Sequence, residues 1–137
     1  MSTIVATNEQ IVTEKVQNYS FTVFPDALNY AGTLFGGKLL SEMDLAASNS
    51  VRKLLYGTEC NGNVTAHLSE VNFISPAFLG DIVEIKTRII GMGKTSIKVS
   101  VKVEKEDLSG EITEICSAQF VFVALKDKKP YPHFKSL

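Results

Sequence analysis

Apolar positions change period repeatedly along the chain, and each change marks an element. Tyr19 to Phe24 alternate apolar and polar side chains, the period of a half-buried strand, and Pro25 closes it. Pro25 to Gly37, with Asn29, Gly32, Gly36 and Gly37, has the composition of a loop. From Lys38 the period is helical. Leu39, Leu40, Met43, Ala47, Val51 and Leu54 share one face, and Lys38, Glu42, Asn49, Arg52 and Lys53 the opposite one. Gly57 is the predicted stop, giving about five turns, or roughly 30 Å of helix. After Cys60-Asn61-Gly62 the chain reads as strand. Val64 to Ile74 shifts phase between Leu68 and Val71, which predicts a bulge or a face buried twice. Ile82 to Ile90 follows, then a turn at Gly91-Met92-Gly93-Lys94. Ile97, Val99, Val101 and Val103 point inward from the next strand, and Lys98, Ser100 and Lys102 outward. Glu104 to Gly110 is a charged hairpin loop, and Glu111 to Leu125 is apolar on both faces, as a central strand should be.

The predicted fold class is α+β, with one long helix packed on an antiparallel sheet of about five strands. One helix covers only a strip of such a sheet. The doubly apolar last strand calls for further cover, so an obligate dimer is expected. Residues 1–13 carry no pattern and read as an N-terminal arm, 14–126 as one domain, and 127–137 as a basic, proline-broken tail. Lys126, Lys128, Lys129 and Lys135 form a basic cluster there, either solvated or drawing phosphate.

Composition narrows the partners. A chain of 137 residues, 45% apolar and 21% charged, is sized and mixed for one soluble globular domain. Fourteen Lys and Arg against fifteen Asp and Glu leave a net charge of −1, without the basic excess of a nucleic-acid binder. No apolar run approaches the ~18 residues of a membrane span. Met1 to Gln10 lack the layout of a signal peptide. Cys60 and Cys116 are too few and too far apart for a disulfide scaffold or a zinc site, and a cytoplasmic location with reduced thiols is expected.

The candidate chemistry gathers at the head of the helix. Gly36-Gly37 stand where it begins, so backbone can approach a ligand with no side chain between. The first turn offers unpaired N–H donors and partial positive charge, suited to an oxyanion; the pair can equally serve only as a tight loop-to-helix junction. Asp44 lies on the flank of the apolar stripe beside Leu40, Met43 and Ala47, a half-sheltered carboxylate two turns in. Such groups are paired, bordered by water, or used chemically. Asn29 adds an amide that donates and accepts, either as a turn residue or to orient a water or carbonyl.

The ordered set Asn29-x-x-Gly32-x-x-Phe35-Gly36-Gly37, followed by Met43-Asp44, resembles the acyl-CoA hydrolase branch of the hotdog-fold thioesterases. Val64-Thr65, Val71-Asn72-Phe73 with Pro76 and Gly80-Asp81, Gly93-Lys94-Thr95-Ser96, and Phe120 to Leu125 extend the likeness over nearly the whole domain. The resemblance implies hydrolysis of fatty acyl-CoA to free acid and coenzyme A. Asp44 would be the catalytic carboxylate, as base or nucleophile, with Asn29 its partner across a dimer interface and Gly36 or Gly37 N–H holding the thioester oxygen. An acyl chain needs an apolar wall, which Phe35 with Leu39, Leu40 and Met43 can supply, although packing in the core is the favoured role for most of them. Gly93, Lys94, Thr95, Ser96 and Lys126 would line the coenzyme A groove. It further implies a trimer of dimers, no metal, and coenzyme A only as part of substrate or product. Glu42 departs from the aromatic residue many relatives carry before Met-Asp. A hydroxyacyl dehydratase is disfavoured, since no histidine occurs between Thr13 and Ala66. His67 reads as a strand residue, and His133 as a tail residue facing water. A non-catalytic acyl-CoA or lipid binder, with Asp44 a polar fixture, is the other reading.

Overall fold

The helix and the five long strands form where periodicity places them. A computed structural model describes residues 16–133 in full and the backbone of 4–7 and 10–13. In chain order the elements are β1 (Ile4–Thr7), β2 (Gln10–Thr13), β3 (Gln17–Thr22), α1 (Gly36–Leu54), β4 (Gly62–Phe73), β5 (Ile82–Met92), β6 (Ser96–Glu106), β7 (Ile112–Lys126) and β8 (Lys129–Pro130). The main sheet runs β3-β5-β6-β7-β4, antiparallel throughout, with β8 turned back on the end of β7. One helix on an antiparallel sheet is the hotdog arrangement. β1 and β2 pair as a short ribbon in the stretch read as a patternless arm.

The core lies between α1 and one face of the sheet. Leu39, Met43, Ala47 and Val51 meet the inward row of β6, where Ile97, Val99, Val101 and Val103 are all fully buried. Phe120 and Phe122 bring the largest side chains from β7. The helix starts at Gly36 rather than Lys38, and Gly57, at φ +85°, lies just past its end. The phase shift in β4 is a bulge. Register slips between Ser69 and Asn72, with Glu70 at φ +52°, and again between Thr65 and His67. β4 is far from doubly buried: it is an edge strand exposing Val64 and Leu68, and Phe73 is 56% exposed.

The tail, read as basic and proline-broken, folds back on the sheet while Lys128 and Lys129 stay exposed. Asp127 and Lys128, both at positive φ, reverse the chain onto β7. Tyr131 N–H donates to Ala124 O at 3.0 Å, and His133 is only 2% exposed. Lys135 lies outside the described residues. Among the described residues, no helix is long and apolar enough to cross a membrane.

Candidate active site

Asn29 builds the loop ahead of the helix. Its Oδ1 accepts from Ala31 N–H at 3.0 Å and Thr33 N–H at 3.1 Å, and its Nδ2 donates to Thr33 Oγ1 at 2.9 Å. The turn reading is therefore correct. A side-chain amide has two N–H donors, however, and one here is not used within the loop. The loop is anchored at its far end, where Leu34 N–H donates to Ala77 O at 2.8 Å and Phe35 N–H to Ala27 O at 2.9 Å.

Phe35 is the N-cap and makes no side-chain cap, so the first-turn N–H groups have no intrahelical acceptor. A Cβ at Gly37 would stand 2.7 Å from the Phe35 ring; one at Gly36 would meet the ring of Phe73, on β4, at 3.5 Å. Glycine keeps this tip slim beneath two aromatic rings. Phe35, Phe73 and Ile74 are exposed here and Leu40 is half-buried. Leu39 and Met43 are committed to the core, the role favoured for most of that apolar wall.

Two turns on, Asp44 is half-buried and reaches toward β4, where Thr65 Oγ–H donates to its Oδ1 at 2.5 Å. Among the described residues, no cation pairs with it. Sequence reasoning gave Thr65 no role. The one signal was its place in the Val64-Thr65 match, since strand periodicity makes it an ordinary β-threonine. Glu42 leans toward the other edge of the sheet. It pairs with Lys38 at 3.1 Å and accepts from Tyr19 on β3, which holds that phenol's pKa above its ordinary value. Eight residues separate Gly36 from Asp44, about 12 Å along the axis at 1.5 Å per residue. Among the described residues, no hydrogen bond joins Asn29 or the glycine tip to Asp44. Within one chain the two halves of the candidate site stand apart.

Gly93-Lys94-Thr95-Ser96 form the β5–β6 turn, closed by Gly93 N–H to Ser96 O at 2.9 Å, with Thr95 O accepting from Ala124 N–H at 2.8 Å. A Cβ at Gly93 would run into Ser96 Oγ. Ser96 and Val64 are both register partners of Val123, so the turn lies level with the Asp44–Thr65 pair, two strands across. At ~4.8 Å per strand that is about 10 Å. His133 was expected to face water. It is instead packed against this turn, its Nε2 3.1 Å from Ser96 O and its N–H donating to Lys94 O at 3.3 Å. Burial is the main cause and holds its pKa below the ordinary value. Lys126 is engaged nearby, 3.7 Å from Glu59 and 4.9 Å from the Tyr131 ring centroid. Cys60 and Cys116 are buried free thiols, and burial pushes the Cys116 thiol up, the reverse of an activated nucleophile.

A profile of the Thioesterase superfamily matches residues 31–111. The uncharacterized acyl-CoA thioester hydrolase YkhA of Bacillus subtilis (strain 168) is 38% identical over 113 residues, covering 80% of this chain; the chain spans 63% of that relative's length. The crystal structure of a hexameric thioesterase from Yersinia pestis superposes with a TM-score of 0.79 at 28% identity, over 86% of this chain and 94% of that one. An acyl-CoA hydrolase from Staphylococcus aureus, solved with butyryl coenzyme A, coenzyme A and coenzyme A disulfide, gives 0.74 at 28% identity, over 85% and 71%. That hydrolase has also been solved with an aspartate, a threonine or an asparagine replaced by alanine. The profile match takes in the glycine tip, Asp44 and Thr65, and the chain belongs to the Thioesterase superfamily.

Proposed function

We propose that the protein hydrolyses fatty acyl-coenzyme A to the free acid and coenzyme A. The observation that carries this is Asp44: a half-buried carboxylate with no cation partner among the described residues, steadied by Thr65 at 2.5 Å on the edge strand β4. A thioester carbonyl is already electrophilic, so a positioned water, a base and oxyanion donors suffice. Asp44 takes a proton from the attacking water, or attacks the carbonyl itself to give a mixed anhydride that water then opens. In both routes the thiolate of coenzyme A leaves. Gly36 or Gly37 N–H receives the developing oxyanion, and the remaining Asn29 N–H orients the water or carbonyl. Phe35, Phe73 and Leu40 offer an apolar seat for the acyl chain. Gly93 to Ser96 and Lys126 mark the end of the sheet where the anionic part of coenzyme A lies. The chemistry calls for no metal and no further cofactor. Two unpaired cysteines suit a reducing, cytoplasmic compartment.

The separation of the two half-sites supports a dimer. Among the described residues β4 has a single neighbour, and it exposes apolar side chains, the kind of edge that proteins cover. Its midpoint falls between His67 and Leu68. Antiparallel pairing with a second copy about that point sets the Thr65 end of one strand against the Phe73 end of the other. Asp44 of one chain then faces the glycine tip and Asn29 segment of its partner. A trimer of such dimers is our reading of the higher assembly, in keeping with the hexameric relatives.

The test follows free thiol released from fatty acyl-CoA. Asp44→Asn keeps an acceptor for Thr65 and removes the base. It should lower turnover at least about 100-fold while leaving a folded oligomer that still binds substrate. Turnover equal to wild type overturns the proposal. So does a wild type that binds acyl-CoA and never cleaves it, which would make the protein a binder.

A further inference from the structure

One buried charge pair has no part in the chemistry above. The inward row of β6 continues past Val103 to Lys105, opposite buried Val83, so a lysine stands where the row calls for an apolar side chain. Lys105 is 9% exposed, and its partner Asp81, just before β5, is 3% exposed. Lys105 Nζ donates to Pro76 O at 2.7 Å, lies 3.5 Å from Asp81 Oδ2, and sits 4.6 Å from the Phe78 ring centroid. The same Asp81 oxygen accepts from Phe78 N–H at 2.7 Å, and Asp81 O accepts from Val23 N–H at 2.9 Å. One ammonium and one carboxylate thus gather residues 76–81 into a unit. That unit holds the candidate site: Ala77 O is the acceptor for Leu34 N–H, and Thr33 bridges Phe78. Thr33 is in turn the residue around which the Asn29 side chain is wrapped.

A buried ion pair is a poor device for stability alone, because apolar residues of similar volume often serve as well or better. A fixed, directional anchor is what it supplies. We propose that Asp81 and Lys105 are positioning residues that set the Asn29 amide and the glycine tip, acting through residues 76–81. This rests on the hydrolase reading, and the experiment separates the two.

The charge-neutral double variant Asp81→Asn/Lys105→Met avoids leaving one buried charge unpaired. Its folded oligomer should show kcat lowered at least tenfold with KM within twofold of wild type. In an Asn29→Ala background the same double substitution should cause a smaller loss, because the part of its effect that passes through Asn29 is already gone. Without substrate, amide hydrogen exchange at Thr33 and Leu34 should quicken while β6 and β7 stay protected. A kcat within twofold of wild type overturns the proposal, as does an equal loss with and without Asn29. If the double variant does not assemble, Asp81→Asn alone, whose amide oxygen still accepts from Phe78 N–H, is judged by exchange and by a threefold kcat threshold. A wild type that cleaves nothing sinks the hydrolase reading instead, whereas an Asn29→Ala variant at full speed takes Asn29 out of the chemistry and overturns the positioning proposal. The exchange result then decides the mechanical coupling on its own.

Discussion

Thr65→Val isolates the contact that holds the candidate catalytic acid. The substitution trades a hydroxyl for a methyl of nearly the same shape, so the donor to Asp44 Oδ1 disappears while the strand keeps a β-branched residue. A hydrogen bond to a charged acceptor contributes about 1.5–3 kcal/mol. At about 1.4 kcal/mol per decade, that corresponds to roughly 10- to 150-fold in rate if it is fully expressed in the transition state. Thr65 is exposed in the single chain and water can replace its hydroxyl, so the lower end applies, about tenfold. The loss should fall on kcat, with KM little changed, because the contact aims the carboxylate and touches no part of the groove marked by Gly93 to Ser96. Thermal stability should hold within about 2 °C, as surface changes of this kind stay within ~0.5 kcal/mol. Thr65→Ser, which restores the donor, should recover most of the rate. Steady-state thiol release from the three proteins settles it. If Thr65→Val turns over as fast as wild type, Asp44 needs no steadying from β4 and the argument for this geometry is wrong.

Two further outcomes follow from the fold. Leu68→Lys puts a charge at the midpoint of β4, where a second copy would cover the present leucine, and covering an unpaired charge is costly. Light scattering at micromolar concentration should then move toward the single-chain mass and hydrolysis should fall with it; a fully active monomer would contradict a site shared between copies. His133, neutral and buried, makes stability depend on pH. Its pKa is lower folded than unfolded, so the unfolded chain binds a proton the native state refuses. That stability is whole above the ordinary value, about 6.5, and is lost as pH falls through it toward the folded value. The melting temperature of His133→Gln should therefore drop less on acidification than that of wild type, and parallel profiles would show that the imidazole is not responsible.

Much of the fold was legible because its signals are local. Ile97 to Val103 alternate so cleanly that the burial of each residue follows from period alone, and the shift between Leu68 and Val71 announced the bulge at Glu70. Boundaries were less legible. The helix begins two residues before Lys38 because glycines carry no side chain to register a phase. The first main-sheet strand runs from Gln17 to Thr22, since its last partner is Ile82, and Val23 already bonds the Asp81 loop. The fate of His133 was hidden because the reversal before it uses Asp127 and Lys128 at positive φ, where a glycine would have been the usual sign.

For the candidate site, the sequence by itself determined the inventory: a glycine-opened helix tip, a carboxylate two turns along on the flank of the apolar stripe, and an amide in the loop ahead. These follow from helical spacing and side-chain chemistry, which neighbours in the chain fix. Only the tertiary structure decided that Asp44 meets Thr65, that Lys105 and Asp81 brace the Asn29 loop, and that acid and glycine tip lie apart in one chain. Those pairings join residues about 20 to 50 positions apart, and they depend on strand order and on which sheet edge is left bare, which no local period encodes.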